Sequence, residues 1–371
     1  PLANAVVRFH EGNLGLASRW PESLVTISTH DTKRSADVRA RLDALTECPK
    51  EWWRRVLRWR RMNRKHRSLV RGRLVPEANV EYLLYQTLLG IWPEARDPDV
   101  DDALPDRDWL TAARKRVDEY LLKAVREAKV RSSWTDPDHP YEKALLEFTN
   151  GILQRRDDSP FLADVARFSE IVAPLGRWNA LARLVLQLTC PGTPDIYRGD
   201  ELPCFSLVDP DNRRPINYGL RAELLDEVEH YQGRGTGLLS PGADDPRSKL
   251  LILRRLLDIR RRLPDLFRCG SYTPLASTGK RADQVTAFAR STAEARLVVV
   301  VPRYFAQLED GLTGGAEAVW CNTEVGLPEP LRGCQFRSLL ASERLSLAHG
   351  ALTFRLSDLF ADLPLAVLLG S

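Results

Sequence analysis

Two short β-branched segments separated by a long run of helix-period sequence constrain this chain more than any other feature. Leu24-Val25-Thr26-Ile27-Ser28-Thr29 is apolar and β-branched, which predicts a buried strand, and it runs into the polar cluster His30-Asp31-Thr32-Lys33-Arg34. From Ser35 to Leu188 the pattern turns helical. Helices are predicted over 37–45, 52–67, 80–92, 109–130, 141–154, 161–173 and 179–188, separated by breakers at Pro49, Pro93, Pro105, Pro137 with Pro140, Pro160, and Pro174 with Gly176. A second, very short strand is predicted at 195–197, followed by the turn-rich stretch Leu207-Val208-Asp209-Pro210-Asp211-Asn212-Arg213-Arg214-Pro215. Such a chain must house a large helical insertion between two strand ends that carry polar loops.

Downstream, an amphipathic helix is predicted over 247–262. Short β-rich runs at 285–289, 297–301, 318–321, 352–356 and 365–369 then predict an antiparallel sandwich or barrel. The 371 residues exceed the roughly 100–200 of one domain. No apolar run approaches the roughly 20 residues that span a bilayer, so no membrane association is expected. With 54 basic against 50 acidic residues, the charge is nearly balanced, unlike a nucleic-acid-binding surface. The six cysteines include no C-x-x-C pair, which suits free thiols in a reducing cytoplasm. The six histidines are dispersed, so neither a metal nor another cofactor is expected. The start, Pro1-Leu2-Ala3-Asn4, reads as neither a signal peptide nor a natural beginning, so an upstream portion is expected.

Asp31 stands out as a candidate because a strand ending in Thr-His-Asp sets an imidazole and a carboxylate where active-site loops gather. The plainer alternative makes Asp31 the cap of the following helix and His30 a surface residue. Lys33 and Arg34 could hold the Asp31 carboxylate ionised or grip substrate hydroxyls, or they could be solvated charges of a first helical turn. Asp209, Asp211, Asn212 and Arg213 lie in a proline-stiffened stretch that lacks the glycine and later acid of a calcium loop. It is either a turn closed by an Asp–Arg pair or a substrate-contacting loop. The Trp52–Arg61 stretch mixes aromatic and basic residues, as single-stranded nucleic-acid binders do. Helical spacing puts Trp52, Val56 and Trp59 on one face with Trp53 and Leu57 beside them, which favours docking on a core. Tyr82 and Tyr85 likewise read as core, with one tyrosine able to stack on a sugar ring from its edge.

Ser28-Thr29-His30-Asp31-Thr32-Lys33-Arg34 with Asp37-Val38-Arg39-Ala40-Arg41-Leu42, then Glu81-Tyr82-Leu83-Leu84-Tyr85-Gln86-Thr87-Leu88-Leu89-Gly90, then 207–215, resemble in order and separation the maltooligosyl trehalose synthases of the α-amylase superfamily. The resemblance runs from near Val25 to about Ala289. It departs from the family pattern at Arg183 and Arg198, where glutamine is usual, and at Pro203-Cys204, where Trp-Asp is frequent. It implies a fold of α/β plus all-β class, the C-terminal part of a (β/α)8 barrel with a large helical insertion, followed by an antiparallel β-sandwich domain. The implied divisions are 1–34 with the seventh barrel strand and catalytic loop, 35–178 for the insertion, 179–268 with the last barrel strand, and 269–371 for the sandwich.

The resemblance further implies an isomerase of trehalose biosynthesis. Its intramolecular transglucosylation converts the reducing-end α-1,4 linkage of a maltooligosaccharide or glycogen-derived glucan into α,α-1,1. Asp31 would stabilise the transition state, while the nucleophile and acid/base would lie in a missing N-terminal barrel portion, leaving the isolated chain inactive. His30, Lys33, Arg34, Tyr197, Asp209, Asp211, Asn212 and Arg213 would contact substrate. The competing expectations are a glucan hydrolase of the same superfamily and a non-catalytic glucan-binding fragment.

Overall fold

The structure, a computed structural model, describes residues 3–94, 104–155, 159–230, 245–308, 316–341 and 352–370. Pro1 and Leu2 of the amino-terminal reading, and parts of the predicted insertion and strand-rich segment, lie outside these residues. Two units are distinct: Pro1–Thr29 with Trp178–Pro203 and Pro215–Ser371, and His30–Arg177 with Cys204–Arg214.

In the first unit, helix α1 (Ala3–Arg19), which the pattern did not predict, leads to strand β1 (Leu24–Thr26). β1 pairs in parallel with β4 (Thr193–Asp195), Leu24 opposite Thr193 and Thr26 opposite Asp195. Both strands differ from expectation: β1 stops short of Thr29 and is largely exposed rather than buried, and β4 begins upstream of 195–197. The Thr26 hydroxyl donates to the Ser28 carbonyl at 2.9 Å, which turns the chain out of the strand. Gly192, at φ +107°, makes the turn into β4, where a Cβ would strike the Val25 side chain and the Ser23 carbonyl.

Helix α7 (Pro160–Thr189) runs without the break predicted at Pro174–Gly176. One proline costs a helix one backbone bond, and neighbouring packing can hold the ladder together around it. Gly176 serves a close approach instead: a Cβ there would press on the Arg41 backbone. The end of α7 is anchored by three side chains of the first unit. The Gln187 amide donates to the Val25 carbonyl (3.2 Å) and the Asp195 carbonyl (2.9 Å), tying β1 to β4. Arg260 of helix α9 (Arg247–Arg262) donates to the carbonyls of Leu188 and Gly192 at 2.9 and 2.8 Å. Buried Arg290 reaches the carbonyls of Thr189, Phe267, Gly270 and Ser271. Cations at a helix C-terminus meet its unpaired carbonyls and the negative end of its dipole. Burial, with the neighbouring Arg290 charge second, lowers the Arg260 guanidinium to about 10.

The rest of this unit is built on antiparallel sheets. A five-stranded sheet runs β10 (Phe336–Ser338), β12 (Ala366–Gly370), β8 (Arg296–Pro302), β7 (Val285–Ser291), β5 (Ser271–Pro274). Its central strands β7 and β8 are buried along almost their whole length, which explains the unbroken apolar run Leu297–Val301 of β8. A three-stranded sheet runs β11 (Thr353–Arg355), β9 (Glu324–Gly326), β6 (Ser277–Thr278). The strand predicted at 318–321 is instead helical, as Ala316–Trp320. A short apolar run does not distinguish the two forms by period.

The second unit holds α2 (Ala36–Asp43), α3 (Pro49–Met62), α4 (Ala78–Ile91), α5 (Arg107–Ala128), α6 (His139–Leu153) and the first part of α7. The helix predicted over 52–67 ends at Met62, and a hairpin of β2 (Ser68–Val70) and β3 (Arg73–Val75) follows. Arg71 and Gly72 both take positive φ at its tip, as a tight two-residue hairpin requires. Trp52, Val56 and Trp59 are buried as predicted, but Trp53 and Leu57 face solvent. Trp59 meets Tyr85, Phe161 and Phe168 edge-on. Tyr82 accepts a hydrogen bond from the Trp52 indole (2.8 Å), and buried Tyr85 donates to Glu81 (2.7 Å), so both tyrosines serve the core.

No described helix is long and apolar enough to cross a membrane. All six cysteines are free thiols.

Asp164 holds α7 against α3. Its side chain is 1% exposed, accepts from the Trp59 indole at 2.7 Å, and meets Arg55, Arg58 and Arg167 at 2.9, 3.3 and 3.2 Å. Burial raises its pKa, but the indole bond and the arginines outweigh burial and hold it below the ordinary carboxylate range. The Asp164→Asn variant is expected to lose about 2–4 kcal/mol, somewhat under the usual buried-pair figure because Arg58 and Arg167 are half exposed. A folded pKa below the unfolded one gives stability that is present above about pH 4 and lost as pH falls through the depressed value. Urea unfolding from pH 7 to 3 should therefore show parent and variant converging in acid. A constant gap would mean that Asp164 contributes by packing alone.

Candidate functional site

The residues singled out between His30 and Arg34 lie on the loop that follows β1 in the chain, and helix α2 begins directly after it. Ser35, not Asp31, caps α2: its hydroxyl accepts from the Val38 amide at 3.4 Å. The plainer reading of Asp31 therefore fails. His30 Nε2 stands 3.2 Å from Asp31 Oδ2, and the two side chains are 51% and 79% exposed. An imidazole and a carboxylate are thus displayed together, supported from below by backbone rather than sealed in the interior.

A second loop, within 204–214, supplies that support. The Ser35 amide donates to the Ser206 carbonyl (2.9 Å), the Ser35 hydroxyl to the Cys204 carbonyl (2.6 Å), and the Cys204 amide to the Asp37 carboxylate (2.7 Å). Arg34 and Leu207 form an isolated antiparallel bridge. The Asn212 side-chain amide donates to the His30 carbonyl at 2.8 Å, directly beneath the exposed pair.

Asp211 is nearly buried and organises this loop. It accepts from the Leu207 amide (2.8 Å), takes a two-pronged grip from Arg116 (3.0 Å on each oxygen), and pairs with Arg214 (2.9 Å). Arg116 also donates to the Phe205 carbonyl at 2.5 Å. Asp209 faces outward enough to pair with half-exposed Arg213 at 3.0 Å, so the Asp–Arg turn reading holds there.

Helix α5 underlies both loops. Arg116 holds Asp211, the Tyr120 ring lies 5.8 Å from the Arg34 guanidinium, Lys123 donates to the Asp209 carbonyl at 3.1 Å, and Glu127 accepts from Lys33 at 2.7 Å. These four positions recur every three or four residues, so they form one stripe along α5. Arg34 also donates to Leu83 and Thr87 of α4, at 3.3 and 2.9 Å. Lys33 and Arg34 are therefore engaged as fasteners of the loop. The stripe was missed in the sequence because charged residues at helical spacing look like a solvated face. Its only signal was the 4-3-4 rhythm itself.

Tyr197 lies in the first unit, half-buried beyond β4. Its carbonyl accepts from the Asp200 amide at 2.9 Å in a turn through Gly199, at φ +89°. Arg221 of α8 (Tyr218–His230) steadies this turn by donating to the Gly199 carbonyl and the Glu201 carboxylate, each at 3.1 Å. Among the described residues no three or more His, Cys, Asp or Glu side chains gather for a metal ion.

No protein-family model matches the chain. Two curated Mycobacterium tuberculosis proteins, from strains CDC 1551 / Oshkosh and ATCC 25618 / H37Rv, are each 31% identical to it over 360 residues, 97% of the chain. Among solved structures, one from Arthrobacter ramosus is 31% identical with a TM-score of 0.74, matching 99% of this chain and 41% of its own. One from Sulfolobus tokodaii, 23% identical with a TM-score of 0.67, shares the fold. The chain is thus related, over almost its whole length, to synthases. All of these proteins carry the name maltooligosyl trehalose synthase, and this chain is a relative of that family. It spans 39% of the length of the curated relatives it matches.

If the α5 stripe sets the loops, weakening its fork should loosen them. Arg116→Lys keeps the charge but cannot grip Asp211 with two prongs. Losing about 1.5–3 kcal/mol of charge-assisted bonding predicts amide exchange across 204–214 faster by roughly 10- to 100-fold. Hydrogen exchange read by mass spectrometry checks this, with 141–153 as the unaffected reference.

Proposed function

We propose that the polypeptide carrying these residues converts the reducing-end α-1,4 linkage of maltooligosaccharides into α,α-1,1 by intramolecular glucosyl transfer. The observation that supports this most is the exposed His30–Asp31 pair, braced by a buried hydrogen-bond network, on a chain 31% identical to maltooligosyl trehalose synthases over 97% of its length.

In this reading β1 and β4, parallel neighbours joined through the helical segment, are the seventh and eighth strands of a (β/α)8 barrel, and the antiparallel sheets form a terminal sandwich. Leu24 of β1 is 73% exposed, as suits a strand whose further neighbours lie in polypeptide outside these residues. Retaining glycosyl transfer needs a nucleophilic carboxylate and an acid/base carboxylate about 5–5.5 Å apart. We assign both to that outside polypeptide. Asp31 then acts as a third carboxylate, accepting from sugar hydroxyls and favouring the positive charge that develops on the ring. His30 donates to the same sugar. Asp209, Arg213 and Lys33 are exposed enough to meet substrate, whereas Asp211, Asn212 and Arg34 act by holding the loops. Tyr197 stays assigned to substrate. After cleavage, the freed glucose turns in the site and its anomeric hydroxyl attacks the glycosyl-enzyme, a step that requires water to be kept out. Six free thiols and the absence of a described membrane-spanning helix suit a cytoplasmic enzyme.

Proton NMR of maltohexaose incubated with the full-length protein tests the reaction. Reducing-end anomeric signals should fade as an α,α-1,1 signal grows, and Asp31→Asn should lower the rate about 10²–10³-fold without lowering the melting temperature. Reducing ends that multiply would identify a hydrolase instead. An Asp31→Asn variant with parental activity would remove Asp31 from the site.

A further inference from the structure

Trp134 is a large apolar side chain held in place yet left uncovered. It is 56% exposed, on the connection between α5 and α6. The connection is closely tied. The Ser133 amide donates to the Asp136 carbonyl (3.2 Å), the Asp136 amide to the Ser133 hydroxyl (2.9 Å), and the Asp138 amide to the Ser132 hydroxyl (3.2 Å). One side of the Trp134 ring is backed by the Arg126 guanidinium, 5.0 Å from its centre. Arg126 is itself fixed by two bonds to the Glu142 carboxylate, at 2.8 and 2.7 Å. Glu142 is nearly buried, and the Arg126 bonds hold its pKa below the ordinary range against the opposing effect of burial.

A ring braced on one side by a fixed cation loses little freedom when something stacks on its other side. It therefore binds at a low entropic cost. The flanking residues Thr135 and Asp136 are exposed and polar. A pyranose fits this combination: its C–H face carries slight positive charge, which matches an indole face, and its rim of hydroxyls suits polar neighbours. Arg126 directly precedes Glu127, the α5 residue that fastens Lys33, so the braced ring belongs to the end of the helix that carries the candidate loop.

We propose that Trp134 is a stacking platform for a glucose unit of the bound α-glucan, outside the residues assigned to bond rearrangement. The proposal rests on the glucan-acting reading of the site and adds a subsite to it. Chains long enough to reach the platform gain affinity from it, and short ones do not.

The test is calorimetric titration of the full-length protein, parent against Trp134→Ala and Trp134→Phe, with maltotriose and maltoheptaose. The expected result is a loss of about five- to tenfold in maltoheptaose affinity in Trp134→Ala, partial recovery in Trp134→Phe, and unchanged maltotriose binding. In turnover, KM for maltoheptaose should rise while kcat holds. Equal maltoheptaose affinity in all three proteins, or no glucan binding by the parent, would overturn the proposal. So would a change confined to self-association in sedimentation, which would make the ring an interface between copies. The two readings fail separately. Weakened maltoheptaose binding without any α,α-1,1 product keeps the platform and removes the reaction, whereas α,α-1,1 product with unaltered binding in Trp134→Ala does the reverse.

Discussion

The Arg116–Asp211 grip is the interaction on which the candidate site depends. Asp211 has two oxygens and satisfies four donors with them, from Leu207, Arg116 twice, and Arg214. Because Arg116 stands on a helix while Asp211 stands in a loop, the grip transfers the rigidity of α5 to a stretch with almost no regular structure of its own. Asn212, one residue on, then passes that order to the His30 carbonyl. The exposed pair owes its setting to the largely buried Asp211 and Asn212. Leaving either partner of such a buried charge pair alone is far worse than losing an exposed one.

This also explains how the candidate residues divide. Asp211, Asn212, Lys33 and Arg34 were grouped with His30 and Asp31 because the family resemblance implies that all of them contact substrate. Burial sets Asp211 and Asn212 apart, and bonding sets Lys33 and Arg34 apart. Asp211 and Asn212 face inward, and Lys33 and Arg34 are fastened to α5 and α4, whereas His30 and Asp31 are displayed. A charged loop motif signals a site without telling which of its members meet the ligand and which hold the others still.

Much of the fold was legible where period and punctuation agreed. The helices 80–92, 109–130, 141–154 and 247–262 are found within a few residues of their predicted ends, since proline or a polar cap bounds them. Legibility failed where a local rule met tertiary context. Pro174 did not stop α7, and beside it Gly176 lets the Arg41 backbone pack closely on the helix. Trp53 and Leu57 were placed toward the core by period but lie at the edge of the helix face that Trp59 buries. The α5 stripe was unreadable for a different reason: its partners sit about ninety residues away, and nothing local marks a charge as spoken for.

The two ends of α7 are secured by opposite chemistry. Near its start, Asp164 draws arginines onto a carboxylate, a group that takes up a proton once the pH falls below the ordinary carboxylate range. At its finish, Arg260 and Arg290 rest on peptide carbonyls, which have no proton to gain anywhere in the acid or neutral range. One continuous helix therefore joins an attachment that acidification erodes to one that it leaves untouched. Acid should loosen the start of α7 before its finish.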